Sequence, residues 1–323
     1  MAVYLLVILI TSVVLFKASD LVSVNIRGLA QKTGLGQMAI ASLLLALTTS
    51  FPELFVGLTS AWQGQANLSL GNVIGANIAN LSLVVGGAAL WGGDVAVRGS
   101  FLRKDVFYTF LAGLAPLVLL VDGRLGRLDG LVLIIIYLVY CFWIFGNHNH
   151  HQDNQNQHEN AGHFLVRQFK SRSTRKELFW ILTGIGLLLL SAQVVVACAK
   201  AVALGLGVPV LLVGLLVVSV GTTLPELVIS ARAVAKKMPQ MVFGNVLGSI
   251  AANGTLILGL VALLSPINEV NLGEYLLAIG EFVLVFTLFY LFIRSKNSLA
   301  RVEGLILVLT YCLFVVTALG SGI

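Results

Sequence analysis

The chain has 323 residues, of which 58% are hydrophobic and 11% charged, and its mean hydropathy is +0.97. That balance excludes a soluble globular domain and describes an integral membrane protein. The net charge of +6 has a membrane explanation, given below, and requires no nucleic-acid partner.

A helix needs about 20 apolar residues to cross a bilayer. Such runs lie at 3–25, 37–61, 69–92, 105–121, 128–146, 177–201, 208–234, 241–265, 273–293 and 302–320, so ten transmembrane spans are expected. The first run lacks the basic leader and small-residue cleavage site of a signal peptide, so it is expected to remain as span one. Between the fifth and sixth spans lies a polar stretch, 146–176, holding all five histidines. It reads as a cytoplasmic connector, with a metal-binding or pH-sensing tail as the sharper alternative. Cys141, Cys198 and Cys312 fall inside apolar runs, where cysteine behaves as a small hydrophobe, and no disulfide framework is expected.

Basic residues collect on the cytoplasmic ends of spans. Sixteen of the 20 Lys and Arg residues fall in loops after odd-numbered spans, and only Arg124 and Arg127 lie on the other side. This asymmetry is expected to place both termini outside the cytoplasm and the His-rich loop inside; the membrane expected is the plasma (inner) membrane of a prokaryote.

Spans two and seven carry the informative defect. Thr49-Ser50-Phe51-Pro52-Glu53-Leu54 returns 173 residues later as Thr222-Thr223-Leu224-Pro225-Glu226-Leu227. The same offset pairs Gly71 with Gly244, Asn72 with Asn245, Gly75 with Gly248, Asn80 with Asn253 and Gly86 with Gly259. The chain therefore reads as a repeat of 1–145, the connector 146–176, and a second repeat of 177–323. Five spans per repeat is an odd number, so the second copy enters the membrane upside down. The expected fold is all-α: ten transmembrane helices as two inverted five-helix repeats, with helices two and seven broken.

Pro52 and Pro225 lack an N–H, which should free the carbonyls of Thr48 and Gly221. Ala46, Thr49, Ser50 and Glu53 share one helix face, as do Ser219, Thr222, Thr223 and Glu226. Carbonyls, hydroxyls and carboxylates are hard oxygen ligands, suited to Na⁺ and Ca²⁺. Two carboxylates at membrane depth must be neutralised by a cation or proton. Lys17, the one basic residue deep in a span, is three residues from Asp20 and is assigned to that local pair. Glu53 and Glu226 must therefore draw cations from solution. Asn72, Ala76 and Asn80, with their counterparts Asn245, Ser249 and Asn253, form stripes that can face the broken helices. Gly71/Gly75 and Gly244/Gly248 provide the small-residue spacing that brings helices close. Asp20 and Glu281 have no acidic counterpart in the other half and are expected to be structural.

These two segments resemble the α-repeats of the cation/calcium exchanger superfamily, in particular its sodium/calcium exchanger branch, over nearly the whole chain. The resemblance implies a Ca²⁺ site of Glu53, Glu226, Thr49 and Thr222. It implies Na⁺ sites using Ala46, Ser50, Ser219, Thr223 and Ser249 together with the two threonines. Asn72, Asn80, Asn245, Asn253 and Ala76 would line the site. Two departures stand out. Ala76 replaces a serine hydroxyl of the sodium-coupled pattern, and Asn253 stands where many members have an aspartate. Both leave H⁺ as an alternative to Na⁺.

The expected function is a secondary antiporter exchanging Ca²⁺ for Na⁺, or for H⁺, by alternating access, with helices one and six as the moving part. No cofactor is expected. The partners are the transported ions and the lipid bilayer. The sequence has no Gly-x-x-x-x-Gly-Lys-Ser/Thr for a nucleotide. A passive cation channel is a less favoured class. A membrane metalloprotease is disfavoured because all the histidines lie in the polar connector rather than inside a span.

Overall fold

The structure is a computed structural model that describes residues 2–32, 47–93, 95–96, 101–149, 174–236, 238–268, 270, 272–296 and 298–320. Its long helices are α1 (Ala2–Lys32), α2 (Phe51–Trp62), α3 (Ala66–Ala79), α4 (Val85–Gly92), α5 (Phe101–Leu119), α6 (Arg127–Asn149) and α7 (Thr174–Leu206). Then come α8 (Val210–Val213), α9 (Ser219–Thr222), α10 (Leu224–Ala235), α11 (Pro239–Ala251), α12 (Leu258–Leu264), α13 (Leu272–Lys296) and α14 (Arg301–Gly320). Three π-helical turns bridge segments: Asn80–Val84 between α3 and α4, Gly214–Val218 between α8 and α9, and Ala252–Ile257 between α11 and α12. Among the described residues, eight helical segments are long and apolar enough to cross a membrane. The fourth expected span appears as a shorter apolar helix, Val106–Asp122, and the second is described only from residue 47.

Position in the bundle follows from which faces are covered. The spans Ala66–Gly92 and Met241–Leu264 are each 83% buried, whereas those at either terminus are 28% buried. The third and eighth spans thus form the centre, and the others present Leu, Val, Ile and Phe outward, as a lipid-facing surface requires. The centre packs tightly because glycine lets backbones touch. A Cβ at Gly71 would overlap the Leu211 carbonyl oxygen, and one at Gly75 would overlap the Leu215 carbonyl oxygen. Gly214 meets the Leu68 carbonyl oxygen in return. These contacts hold α3 against α8 and the π turn after it, where a larger residue would force them apart.

The pair α1 and α7, the first helices of the two repeated halves, is organised differently. Its apolar cluster packs Ile8, Leu15, Ala18 and Val22 with Leu188, Ala192, Val195 and Ala199, and takes in Val56 of α2, Leu68 of α3 and Val213 of α8. Its outer faces expose Leu6, Leu9, Leu182 and Leu190. The larger cluster runs through the third, eighth, ninth and tenth spans and ends at Phe282, Phe286 and Phe289.

Two small antiparallel contacts join the halves. β1 (Val95–Ala96) pairs with β2 (Ser298–Leu299), aligning Val95 with Leu299. Leu125 bridges Ile267. Under the 173-residue offset, residue 125 corresponds to 298 and residue 267 to 94, so the two contacts are near-equivalents in the two repeats. The apolar patterns of the helices gave no sign of these ties. The Lys17–Asp20 pair expected from spacing does not form: the Lys17 ammonium lies over the Phe16 ring, 5.5 Å from its centroid, and among the described residues Asp20 makes no ion pair. Both side chains are exposed, so neither needs the other for burial.

Gly71→Ala should lower the melting temperature in detergent, because overpacking costs about 1–3 kcal/mol. Gly87→Ala, where nothing lies within 4 Å of the added Cβ, should leave it equal or higher, since Ala gains about 1 kcal/mol over Gly in a helix. Equal shifts in the two variants would contradict the backbone contact at Gly71.

Candidate cation site

The two repeated segments restart their helices at matching residues. Ser50 is a turn residue with φ −80° and ψ 10°, after which α2 begins; Thr223 has φ −79° and ψ 0°, after which α10 begins. Pro52 and Pro225 thus fall in the first helical turn, where the missing N–H costs no hydrogen bond. The sequence pattern located the disturbance by its prolines, and the geometric interruption lies two residues earlier. Glu53 and Glu226 follow in the first turn, so the partial positive charge of each helix start lies beneath a carboxylate.

Both carboxylates are fully buried, at 0% exposure. They are close enough to repel each other electrostatically, and among the described residues neither is in an ion pair. Among the described residues, both oxygens of Glu53 and Oε2 of Glu226 have no hydrogen-bond partner. Around them the threonines cross between halves. Thr49 donates from Oγ1 to Asn245 Oδ1 at 3.2 Å, and Thr222 donates to Asn72 Oδ1 at 3.0 Å. Each repeat's threonine is thus held by the other repeat's asparagine, which brings the two interrupted helices to one place.

The two sides differ at one position. Ser249 donates from Oγ to Glu226 Oε1 at 3.1 Å and lies 3.1 Å from Thr49 Oγ1. Its counterpart is Ala76, which is buried and has no hydroxyl to offer. This accounts for Glu53 having no partnered oxygen where Glu226 has one.

The remaining predicted residues fall as follows. Ser50 is buried with its Oγ unpartnered. Asn80 is buried with both amide atoms unpartnered, and Asn72 and Asn245 each leave an unpartnered Nδ2. Asn253 donates to Asn77 Oδ1 at 3.2 Å and keeps a free Oδ1. The Ser219 carbonyl is already engaged, accepting from Thr223 Oγ1 at 2.7 Å and Thr223 N at 3.0 Å, with Thr222 Oγ1 3.2 Å away as an alternative donor. The Thr48 carbonyl, expected to be free, accepts from Ser19 Oγ at 2.8 Å, so α1 satisfies what Pro52 leaves open. Ala46 lies outside the described residues.

Three contributors escaped the sequence reading. Asn77 ties the third span to the eighth through Asn253 and through the Ile250 carbonyl, 3.5 Å away. Ser82 and Thr255, again equivalent under the repeat offset, donate to the Ile78 and Ala251 carbonyls at 2.6 and 2.5 Å. These bonds stabilise the π turns beginning at Asn80 and Ala252, which open the helix at the level of the site. The matched hydroxyls at 82 and 255 were a legible signal.

A buried cluster of carboxylate, hydroxyl and amide oxygens with unused lone pairs and no fixed countercharge suits a desolvated hard cation. The sodium/calcium exchanger protein family model matches residues 3–146 and 176–320. The chain belongs to that family. It is an all-helical integral membrane protein of an antiporter family. It is 28% identical over 341 residues to the sodium/calcium exchanger MaX1 of Methanosarcina acetivorans, covering 96% of this chain and 97% of that one. It is 26% identical over 242 residues to the inner membrane protein YrbG of Escherichia coli, covering 74% and 73% of the two chains. In fold, it is similar to the sodium-calcium exchanger NCX_Mj from crystals soaked with 2.5 mM Na⁺ and 10 mM Sr²⁺, at a TM-score of 0.66 and 24% identity over 98% of this chain and 99% of that one.

Ala76→Ser should give Glu53 the hydroxyl that Glu226 already has. A hydrogen bond worth about 1 kcal/mol corresponds to a roughly fivefold lower half-saturating Na⁺ concentration in Ca²⁺ exchange. An unchanged Na⁺ response would show that residue 76 does not face the site.

Proposed function

We propose that this exchanger carries Ca²⁺ out of the cytoplasm against inward Na⁺, binding ions between the two Thr-x-Pro-Glu segments. Glu53 and Glu226 with Thr49 and Thr222 take the Ca²⁺. Ser50, Ser219, Thr223, Ser249 and Ala46 serve Na⁺, and Asn72, Asn80, Asn245, Asn253 and Ala76 line the cavity. The observation that carries this reading is the pair of buried carboxylates without a fixed cation. One Ca²⁺ would neutralise both, and its departure requires replacement by Na⁺ or H⁺, which makes exchange rather than leak the natural outcome.

The architecture that goes with it has ten spans in two inverted repeats, 1–145 and 177–323, joined by the cytoplasmic segment 146–176. The membrane is the plasma membrane of a prokaryote, with both termini outside. The paired small β contacts support the inversion, since equivalent loops make equivalent ties in the two halves. The outward faces of α1 and α7, which expose Leu6, Leu9, Leu182 and Leu190, support their motion against the remaining helices.

A second reading, Ca²⁺/H⁺ exchange, is favoured by Ala76 and by the neutral Asn253. It keeps the same fold and carboxylates and changes only the coupling ion. Flux of ⁴⁵Ca²⁺ into everted vesicles, driven separately by a Na⁺ gradient and by a pH gradient, distinguishes the two. Uptake with Na⁺ alone supports the first, and uptake with the pH gradient alone replaces it with the second.

Glu53→Gln or Glu226→Gln should each abolish gradient-driven uptake while the protein remains folded and inserted. Full exchange in both variants would remove the basis of the proposal.

A further inference from the structure

Asn77 is a buried amide of α3, 3% exposed, and the repeat offset pairs it with Ile250, so the other half has no equivalent. Both of its polar atoms bond to the second half. Oδ1 accepts from Asn253 Nδ2 at 3.2 Å, and Nδ2 donates to the Ile250 carbonyl at 3.5 Å. Asn77 therefore acts on the site through the residue it holds.

That residue belongs to the polar stripe of the eighth span. Asn245, Ser249 and Asn253 follow one another at i+4 steps along α11 and into the π turn Ala252–Ile257. Asn245 accepts from Thr49, and Ser249 donates to Glu226 and adjoins Thr49. Asn253 is the next step of the same stripe, fully buried, and its Oδ1 has no partner among the described residues. A side-chain amide has an oxygen that attracts a cation and an NH₂ that repels one. With Nδ2 engaged by Asn77, the oxygen is the end left for the site.

Asn80 provides the contrast. It is the counterpart of Asn253 and equally buried, yet both of its amide atoms lack a partner among the described residues. The residue that the repeat places to orient it is Ile250, whose side chain cannot accept a hydrogen bond. No hydrogen bond among the described residues fixes which end of the Asn80 amide faces an ion.

We propose that Asn77 is a positioning residue of the cation site: it holds the Asn253 amide so that Oδ1, and not Nδ2, is presented to the ion. The inference rests on the cation site proposed above and adds to it an outer residue and an inequality between its two asparagines. Asn253 is a pre-oriented neutral oxygen ligand, whereas Asn80 loses rotational freedom when an ion binds. Outer partners that orient a ligand raise metal affinity without touching the metal. A neutral oxygen adds coordination without charge, so Glu53 and Glu226 still set the charge of the pocket.

Equilibrium binding of ⁴⁵Ca²⁺ and, separately, of ²²Na⁺ to the purified full chain in detergent tests this. Asn77→Leu, similar in volume, should raise the half-saturating Ca²⁺ concentration roughly fivefold, the factor that one hydrogen bond represents. Asn253→Ala should raise it by at least as much. Adding Asn77→Leu to Asn253→Ala should then change it by less than about twofold, because the ligand that Asn77 orients is gone. Asn77→Asp keeps an accepting oxygen for Asn253 while giving up the bond to Ile250, and should bind Ca²⁺ at least as tightly as the parent. A purely structural tie would weaken binding equally in Asn77→Leu and Asn77→Asp, and its effect would add in full to that of Asn253→Ala; either result overturns the proposal. Unchanged affinity in Asn77→Leu also overturns it. If the parent binds ²²Na⁺ and no ⁴⁵Ca²⁺, the Ca²⁺ reading above fails, while the same cycle read with ²²Na⁺ still decides the role of Asn77. A parent that binds neither ion overturns both.

Discussion

Two carboxylates at the centre of an apolar bundle, with no basic residue paired to them among the described residues, set the terms for this fold. An ionised carboxylate in hydrocarbon is costly by several kcal/mol, and two together add mutual repulsion. The structure reduces that cost without removing it. Helix starts lie beneath Glu53 and Glu226, Ser249 donates to Glu226, and threonines from each half are fixed by asparagines from the other. What remains uncompensated is a demand for positive charge, which only a mobile ion can meet. The glycine contacts between α3 and α8 and the burial of the central spans keep the cluster packed and away from solvent, so that demand persists.

Much of this was legible in the sequence because membrane helices announce themselves by length and apolarity, and because the repeat displays its polar residues twice. Glu53, Glu226, Thr49, Thr222, Asn72 and Asn245 were all visible as matched pairs, and the structure brings them together through cross-repeat bonds. Their local geometry was less legible. Proline marks a missing donor, but where the helix yields depends on the whole turn, and it yields at Ser50 and Thr223. A π turn leaves little compositional trace, so the openings after Ala79 and Ala251 had only Ser82 and Thr255 to indicate them. The bond from Ser19 to the Thr48 carbonyl depends on how α1 docks, which periodicity does not specify. The expected Lys17–Asp20 pair assumed a shared dry environment, whereas both side chains reach the exterior.

The symmetry is also incomplete in a chemically specific way. Ser249 is present and its counterpart is Ala76; Ser19 is present and its counterpart is Ala192. Each difference affects one carbonyl or carboxylate of the central cluster, so the two halves do not offer equivalent coordination. A pseudo-symmetric scaffold can thus hold unequal ion subsites by exchanging single hydroxyls, leaving the helices that carry them unchanged.

The outward faces of α1 and α7, with Leu6, Leu9, Leu182 and Leu190 exposed, have a physical consequence of their own. Dispersion forces hold the inner faces of these helices to each other and to the core, while their outer faces are left for acyl chains. Any displacement of the pair exchanges protein contacts for lipid contacts, so the surrounding bilayer becomes part of the energy surface for that motion. Acyl-chain order and membrane thickness would then tune how fast the two helices shift, with no change in the ion ligands.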